Sequence, residues 1–138
     1  MATTRDGVPE VALTAPATGG GATPLGFYAV AGLNVTSLKI GGGQLNSAQL
    51  FNLTTSGIRT VKFYDKATPP NPGVDVPIKN IVIPAATSAI LPTCFLISFA
   101  PDGVNFNNGL WVALTQGADP LDATSVNAKD LYVNFDVT

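Results

Sequence analysis

Three carboxylates crowd the stretch DPLDATSVNAKD, with Asp119 and Asp122 followed by Asp130, the densest acidic group in the chain. A carboxylate pair can act as general acid and base, and oxygen ligands at such spacing can hold calcium. Neither chemistry is well supported by the pattern. The D-x-D-x-D-G repeat of a calcium loop is absent, and Asp119 before Pro120 reads as an N-cap followed by proline at the first position of a short helical turn. Asp65, Asp75 and Asp102 each stand beside turn residues, where an Asp side chain bonds local backbone amides.

The chain has no histidine, which removes the commonest general base and the commonest zinc ligand. Cys94 is the only cysteine, so it has neither a disulfide partner nor a His to activate it. Its neighbours Phe95, Leu96 and Ile97 predict a buried thiol. Neither GGGATPLG nor GGGQLNS has the ending or following helix of a phosphate-cradling loop. The expectation is a protein that is not an enzyme and needs no cofactor or metal. A carboxylate mechanism through Asp119 is the remaining enzymatic option.

Trp111 could form a sugar-stacking platform, with Tyr28, Tyr64 and Tyr132 elsewhere in the chain. In GLWVALT, however, Leu110, Val112 and Leu114 share one face while Trp111 shares the other with Ala113 and Thr115, and either face can be buried. Packing is the favoured reading of Trp111, and a surface reader of ligands is its alternative. The sequons at Asn34 and Asn52 matter only in a eukaryotic secretory setting.

The elements that must position these residues are strands. From Phe27 onward, short alternating runs recur between turn residues. Arg59 to Asp65 places Val61 and Phe63 on one side against Thr60, Lys62 and Tyr64. Leu131, Val133, Phe135 and Val137 alternate with Tyr132, Asn134 and Asp136. Further strands are predicted over Val76 to Ile83, Cys94 to Phe99, and Leu110 to Leu114, the last opened by Asn108 and Gly109, the dipeptide of tight hairpins. About eight strands result, the size of an antiparallel β-sandwich with jelly-roll or Ig-like connections.

Residues 1–25 lack periodicity and are rich in Ala, Thr, Gly and Pro. They predict an extended N-terminal arm ahead of a sandwich domain over 26–138. Val8, Val11, Leu13 and Leu25 are its candidate contact side chains. The opening residues lack the basic and apolar regions of a secretory signal. Ile81 to Ala100 is uncharged over a bilayer-spanning length, yet Pro84 and Pro92 and its β-branched content favour two strands and a turn. The connector KATPPNPGVDVP, with Pro69, Pro70, Pro72 and Pro77, reads as rigid, with a contact tip as a second possibility.

With 12% charged residues and a net charge of -2, the chain offers no basic track for nucleic acid and little electrostatic resistance to association. Self-association or coverage by a partner is therefore expected.

The strings RTVKFYDKATPPNPGVDVPIKNIVIPA and FNNGLWVALTQGADPLDATSVNAKDLYVNFDV resemble small β-rich structural proteins of tailed bacteriophages and prophages, of the capsid-decoration or head-fibre type. The likeness runs from about Ile58 to Val137, and its motifs are structural. It implies a virion protein assembled in the host cytoplasm and carried on the capsid exterior, where it binds the major capsid protein lattice and stabilises the head. A homo-oligomer, a trimer for example, is expected, with neither nucleic acid nor membrane as partner. The alternative is a tail or fibre module that recognises host surface glycans, with Trp111 as the reader.

Overall fold

The computed structural model describes residues 23–99 and 101–138. Nine strands form two antiparallel sheets: β1 (Thr23–Tyr28), β2 (Thr36–Ile40), β3 (Gly43–Asn52), β4 (Arg59–Asp65), β5 (Lys79–Ile83), β6 (Thr93–Ser98), β7 (Val104–Phe106), β8 (Gly109–Thr115) and β9 (Leu131–Val137). The first sheet has the order β1-β9-β3-β6, with β7 also paired to β3, and the second has the order β2-β8-β4-β5. This is the expected all-β, sandwich-like architecture. The additional strand is the short β7. Residues 1–22, including Val8, Val11 and Leu13, lie outside the described residues. Of the expected arm, Thr23 to Leu25 form the start of β1, and Leu25 packs against the core.

The core lies between the sheets. Leu131, Val133, Phe135 and Val137 of β9 face Val61 and Phe63 of β4 and Leu110, Val112 and Leu114 of β8, all buried. Phe63 meets Phe135 edge to face at 5.4 Å, a favoured aromatic geometry. Along β3 the pairing with β9 slips between Leu45 and Ser47. That bulge lets Leu45, Ala48 and Leu50 all turn inward, which strict alternation forbids because positions 45 and 50 differ in parity.

Three departures from the sequence reading have physical causes. First, Cys94 is exposed rather than buried. Strand β6 turns Phe95 and Ile97 toward the core, so Cys94 and Leu96 point outward. Second, Asn108 and Gly109 do not close a hairpin, because β7 pairs with β3 while β8 pairs with β2 and β4. They make the crossing between sheets. The Asp65 carboxylate accepts the amides of Asn107 and Asn108 at 2.9 and 2.8 Å. Gly109, at φ 156°, passes so near the Lys66 carbonyl that a Cβ would meet it at 2.6 Å. Third, the expected turn after Asp119 stops at a single one, in which the Asp119 carbonyl accepts the Asp122 amide at 2.9 Å, and no helix follows. Asp119 Oδ1 also accepts the Leu121 amide at 2.8 Å, as a cap would, but the carbonyls of this stretch face a side chain from β4.

That side chain is Lys62. Its Nζ donates to the carbonyls of Asp119, Pro120 and Asp122 at 2.7, 3.1 and 2.8 Å. Lys62, Thr60 and Tyr64 lie on the outer face of the second sheet, yet each is no more than 1% exposed, as are Ala113 and Thr115 beside them. The alternation correctly separated the two faces of β4, but both are buried. Loop 116–125 and the proline-rich loop 66–78 cover this face, and they touch where Gly73 lies against Ala123.

Two polar ties join the layers. The buried Asn52 amide donates to the carbonyls of Gly57, Ile83 and Pro84 at 3.0 to 3.2 Å, linking the end of β3 to the end of β5. Arg59 Nε donates to Asp130 Oδ2 at 2.8 Å, with both side chains at most 9% exposed, so β4 is tied to the approach to β9.

Replacing Lys62 with Met leaves three carbonyls without their charged donor, and is expected to lower stability by about 2–4 kcal/mol. A urea unfolding series checks this, with faster amide exchange in loop 116–125. Burial, followed by the nearby Asp75 charge, pushes the Tyr64 phenol up to about 12. Its neutral form contributes stability that is complete below the ordinary value of 10.0 and is lost as pH rises through 12. Spectrophotometric titration of tyrosinate is expected to show this late component, and Tyr64→Phe to remove it.

Candidate functional site

Loop 66–78 is fixed by its own hydrogen bonds. The Asn71 carbonyl accepts the amides of Val74 and Asp75 at 2.9 and 2.8 Å. Asp75 Oδ2 in turn accepts Asn71 N at 2.7 Å and Lys66 Nζ at 2.8 Å. Pro70 and Pro72 are buried, and the Trp111 indole N–H donates to the Lys66 carbonyl at 3.0 Å. The hydrogen bond from Lys66, then the Asn71 amide, hold the Asp75 carboxyl below the usual carboxylate range.

Beyond this brace, Val74, Val76 and Ile78 are 69%, 73% and 41% exposed, while Asp75 and Pro77 between them are half-buried. Val74 ends the turn closed onto Asn71, and Val76 and Ile78 follow it, all three with their apolar side chains turned to water. Strand pairing begins only where Ile78 N reaches the Phe63 carbonyl at 2.7 Å, so the strand expected from Val76 starts later, at Lys79.

The outer face of the first sheet carries the second feature. Register aligns its side chains in rows across β1, β9, β3 and β6. Tyr28, Tyr132, Phe51 and Cys94 form one row, and Gly26, Asn134, Gln49 and Leu96 the next. Asp136, Ser47 and Ser98 form a third. Tyr28 and Tyr132 lie 4.8 Å apart between ring centroids, and Phe51 lies 5.9 Å from Tyr132, each pair inclined at 51°. A depression of about 400 Å³ is lined by Tyr28, Gln49, Phe51, Leu53, Pro92, Tyr132 and Asn134. A neighbouring one of about 160 Å³ shares Gln49 and Asn134 and extends to Ser47, Leu96 and Asp136.

Trp111 belongs to none of these rows. It is half-buried on the opposite sheet, beside Tyr64, and its N–H is committed. Tyr28 and Tyr132, by contrast, are brought together. Their partners Phe51, Gln49 and Asn134 were missed because cross-strand register is not written in any one strand. The alternation of β9 had nonetheless placed Tyr132, Asn134 and Asp136 on one face.

The acidic stretch disperses into turn roles. Asp122 accepts the Gly117 and Thr124 amides at 2.9 and 3.1 Å, and Asp130 pairs with Arg59. Burial pushes the Asp122 carboxyl up, but these amides, the Thr124 hydroxyl and the Lys62 charge together bring it below the usual range. Among the described residues no group of three or more His, Cys, Asp or Glu could hold a metal, and no helix is long and apolar enough to cross a membrane.

No family model matches the chain, and no curated protein matches it.

Because Asp75 and Asp122 are both held below their ordinary value of 3.8, the bracing of loops 66–78 and 116–125 is complete above that value and is lost as pH falls through the lower folded values. Protection of the Asn71, Gly117 and Thr124 amides, measured against their intrinsic exchange rates at each pH, is expected to fall in acid before that of the core strands. Asp75→Asn is expected to produce the loosening at Asn71 already at neutral pH.

Proposed function

We propose that this protein is a non-enzymatic virion structural protein that decorates an assembled bacteriophage head, binding the major capsid protein lattice and stabilising it. The observation that carries this reading is the exposed apolar set Val74, Val76 and Ile78, carried on a loop that is already braced. A prefixed apolar surface loses little conformational entropy on docking. Low charge and the resemblance of the sequence to phage structural proteins support the same reading.

A protein that binds the assembled shell and not its separated subunits stabilises the shell by mass action. Repetition over a symmetric lattice multiplies weak contacts, and a cyclic oligomer, such as a trimer, would present several tips at once. Val8, Val11 and Leu13 supply further contacts in this proposal. The protein would be assembled in the host cytoplasm and sit on the capsid exterior, with neither nucleic acid nor membrane as partner.

Co-sedimentation of the full chain with assembled empty shells tests the proposal. Saturable binding is expected, weakened at least about tenfold by Val76→Asp, the equivalent of about 1.4 kcal/mol. A chain beginning at Thr23 is expected to bind more weakly than the full chain. Absence of binding by the full chain would overturn the reading.

A further inference from the structure

The rows on the outer face of the first sheet do not belong to the loop tip and lie on the opposite side of the sandwich. We propose that they form a binding groove for an uncharged oligosaccharide, whichever particle component the protein belongs to.

A sugar ring presents apolar C–H faces and a rim of hydroxyls. It is held by aromatic surface together with groups that both donate and accept hydrogen bonds. The groove supplies these in adjacent rows. Tyr28, Tyr132 and Phe51 form an inclined aromatic floor, and Tyr28 is 57% exposed. Beside it lie the side-chain amides of Gln49 and Asn134, each with two donors and an acceptor. The third row adds Ser47 and Asp136, already joined by a hydrogen bond of 2.7 Å from the Ser47 hydroxyl to Asp136 Oδ2. From Tyr132 to Asp136 the rows extend over roughly 13 Å at strand rise, room for a short oligosaccharide.

Other ligand classes fit less well. No Lys or Arg lines either depression, and Asp136 would repel an anion. A wholly apolar ligand would strip water from the two amides without replacing their hydrogen bonds. A peptide added as a strand needs a free sheet edge, whereas β9 and β3 lie inside the sheet.

Gly26 is part of the arrangement. A Cβ at that position would stand 2.6 Å from Asn134 Oδ1 and 3.2 Å from the Tyr132 hydroxyl. Its absence lets the Asn134 amide lie over β1, where Nδ2 reaches the Tyr132 hydroxyl at 3.4 Å. Any larger residue at position 26 would displace the amide.

The test is a two-dimensional NMR titration of the full chain with neutral oligosaccharides of glucose, mannose and galactose in both anomeric linkages, at millimolar concentration. At least one is expected to give saturable shifts in the Gln49 and Asn134 side-chain amides. Tyr28→Ala and Gln49→Ala are each expected to weaken that binding about five- to tenfold while the dispersed amide spectrum of the folded chain is retained. Trp111→Phe is expected to leave it unchanged. Silence toward the whole panel would overturn the proposal, as would binding unaffected by Tyr28→Ala and Gln49→Ala, or an oligoproline peptide engaging the groove in place of every sugar. Shell binding by the same variants is a separate readout, so failure of the groove and failure of head decoration are distinguishable.

Discussion

An ammonium group can be taken out of water only if each of its three N–H bonds finds an acceptor. At Lys62 the acceptors are main-chain carbonyls of a single loop, those of Asp119, Pro120 and Asp122. Burial pushes the lysine pKa down, and the charges of Asp122 and Asp119 oppose that shift. The geometry therefore works in both directions. Loop 116–125 gives Lys62 the only kind of interior it can occupy, and Lys62 draws the loop down over the sheet. With this loop and loop 66–78 both in place, Thr60, Tyr64, Ala113 and Thr115 are interior residues, and this part of the second sheet is covered on both faces.

The first sheet has no such cover. Its outer face keeps Tyr28, Leu96 and the polar rows open to water, while the outer face of β4 and β8 in the second sheet lies under loops. The sandwich is thus two-sided in chemistry as well as shape. One side carries a grid of side chains set by strand register, and the other a braced loop with three apolar residues outward. A body attached through one side would leave the other free.

Much of this was legible in the residues. Strands β4 and β9 were readable to their ends because side chains alternate without a break: in β9 one face is wholly apolar, and in β4 Val61 and Phe63 mark the inward face. The inward face of β8 followed from Leu110, Val112 and Leu114 in the same way. What could not be read depends on distant parts of the chain. Three apolar neighbours predict an interior Cys94, but an outer strand with one open face turns every second residue outward. Asn52, written as a sequon, is a buried tie because Ile83 and Pro84 arrive beside it from another sheet. The aromatic row combines Tyr28, Tyr132 and Phe51 from three strands, and only their register makes them neighbours.

Surface loops are usually where a fold absorbs change in length, since most run free of the packed interior. The two loops over the second sheet break that rule, because their carbonyls, prolines and Asp75 are all engaged in holding the layer closed. Inserted residues there would displace Lys62 or Pro70 and Pro72 from their seats, with consequences like those of a core substitution. Thr55 and Ser56, exposed in the β3–β4 connection, and Ala89 and Ile90, exposed between β5 and β6, lack that burden. Lineages that lengthen this chain, and designs that graft a peptide onto it, have their freedom at those turns and not at the loops that look longest.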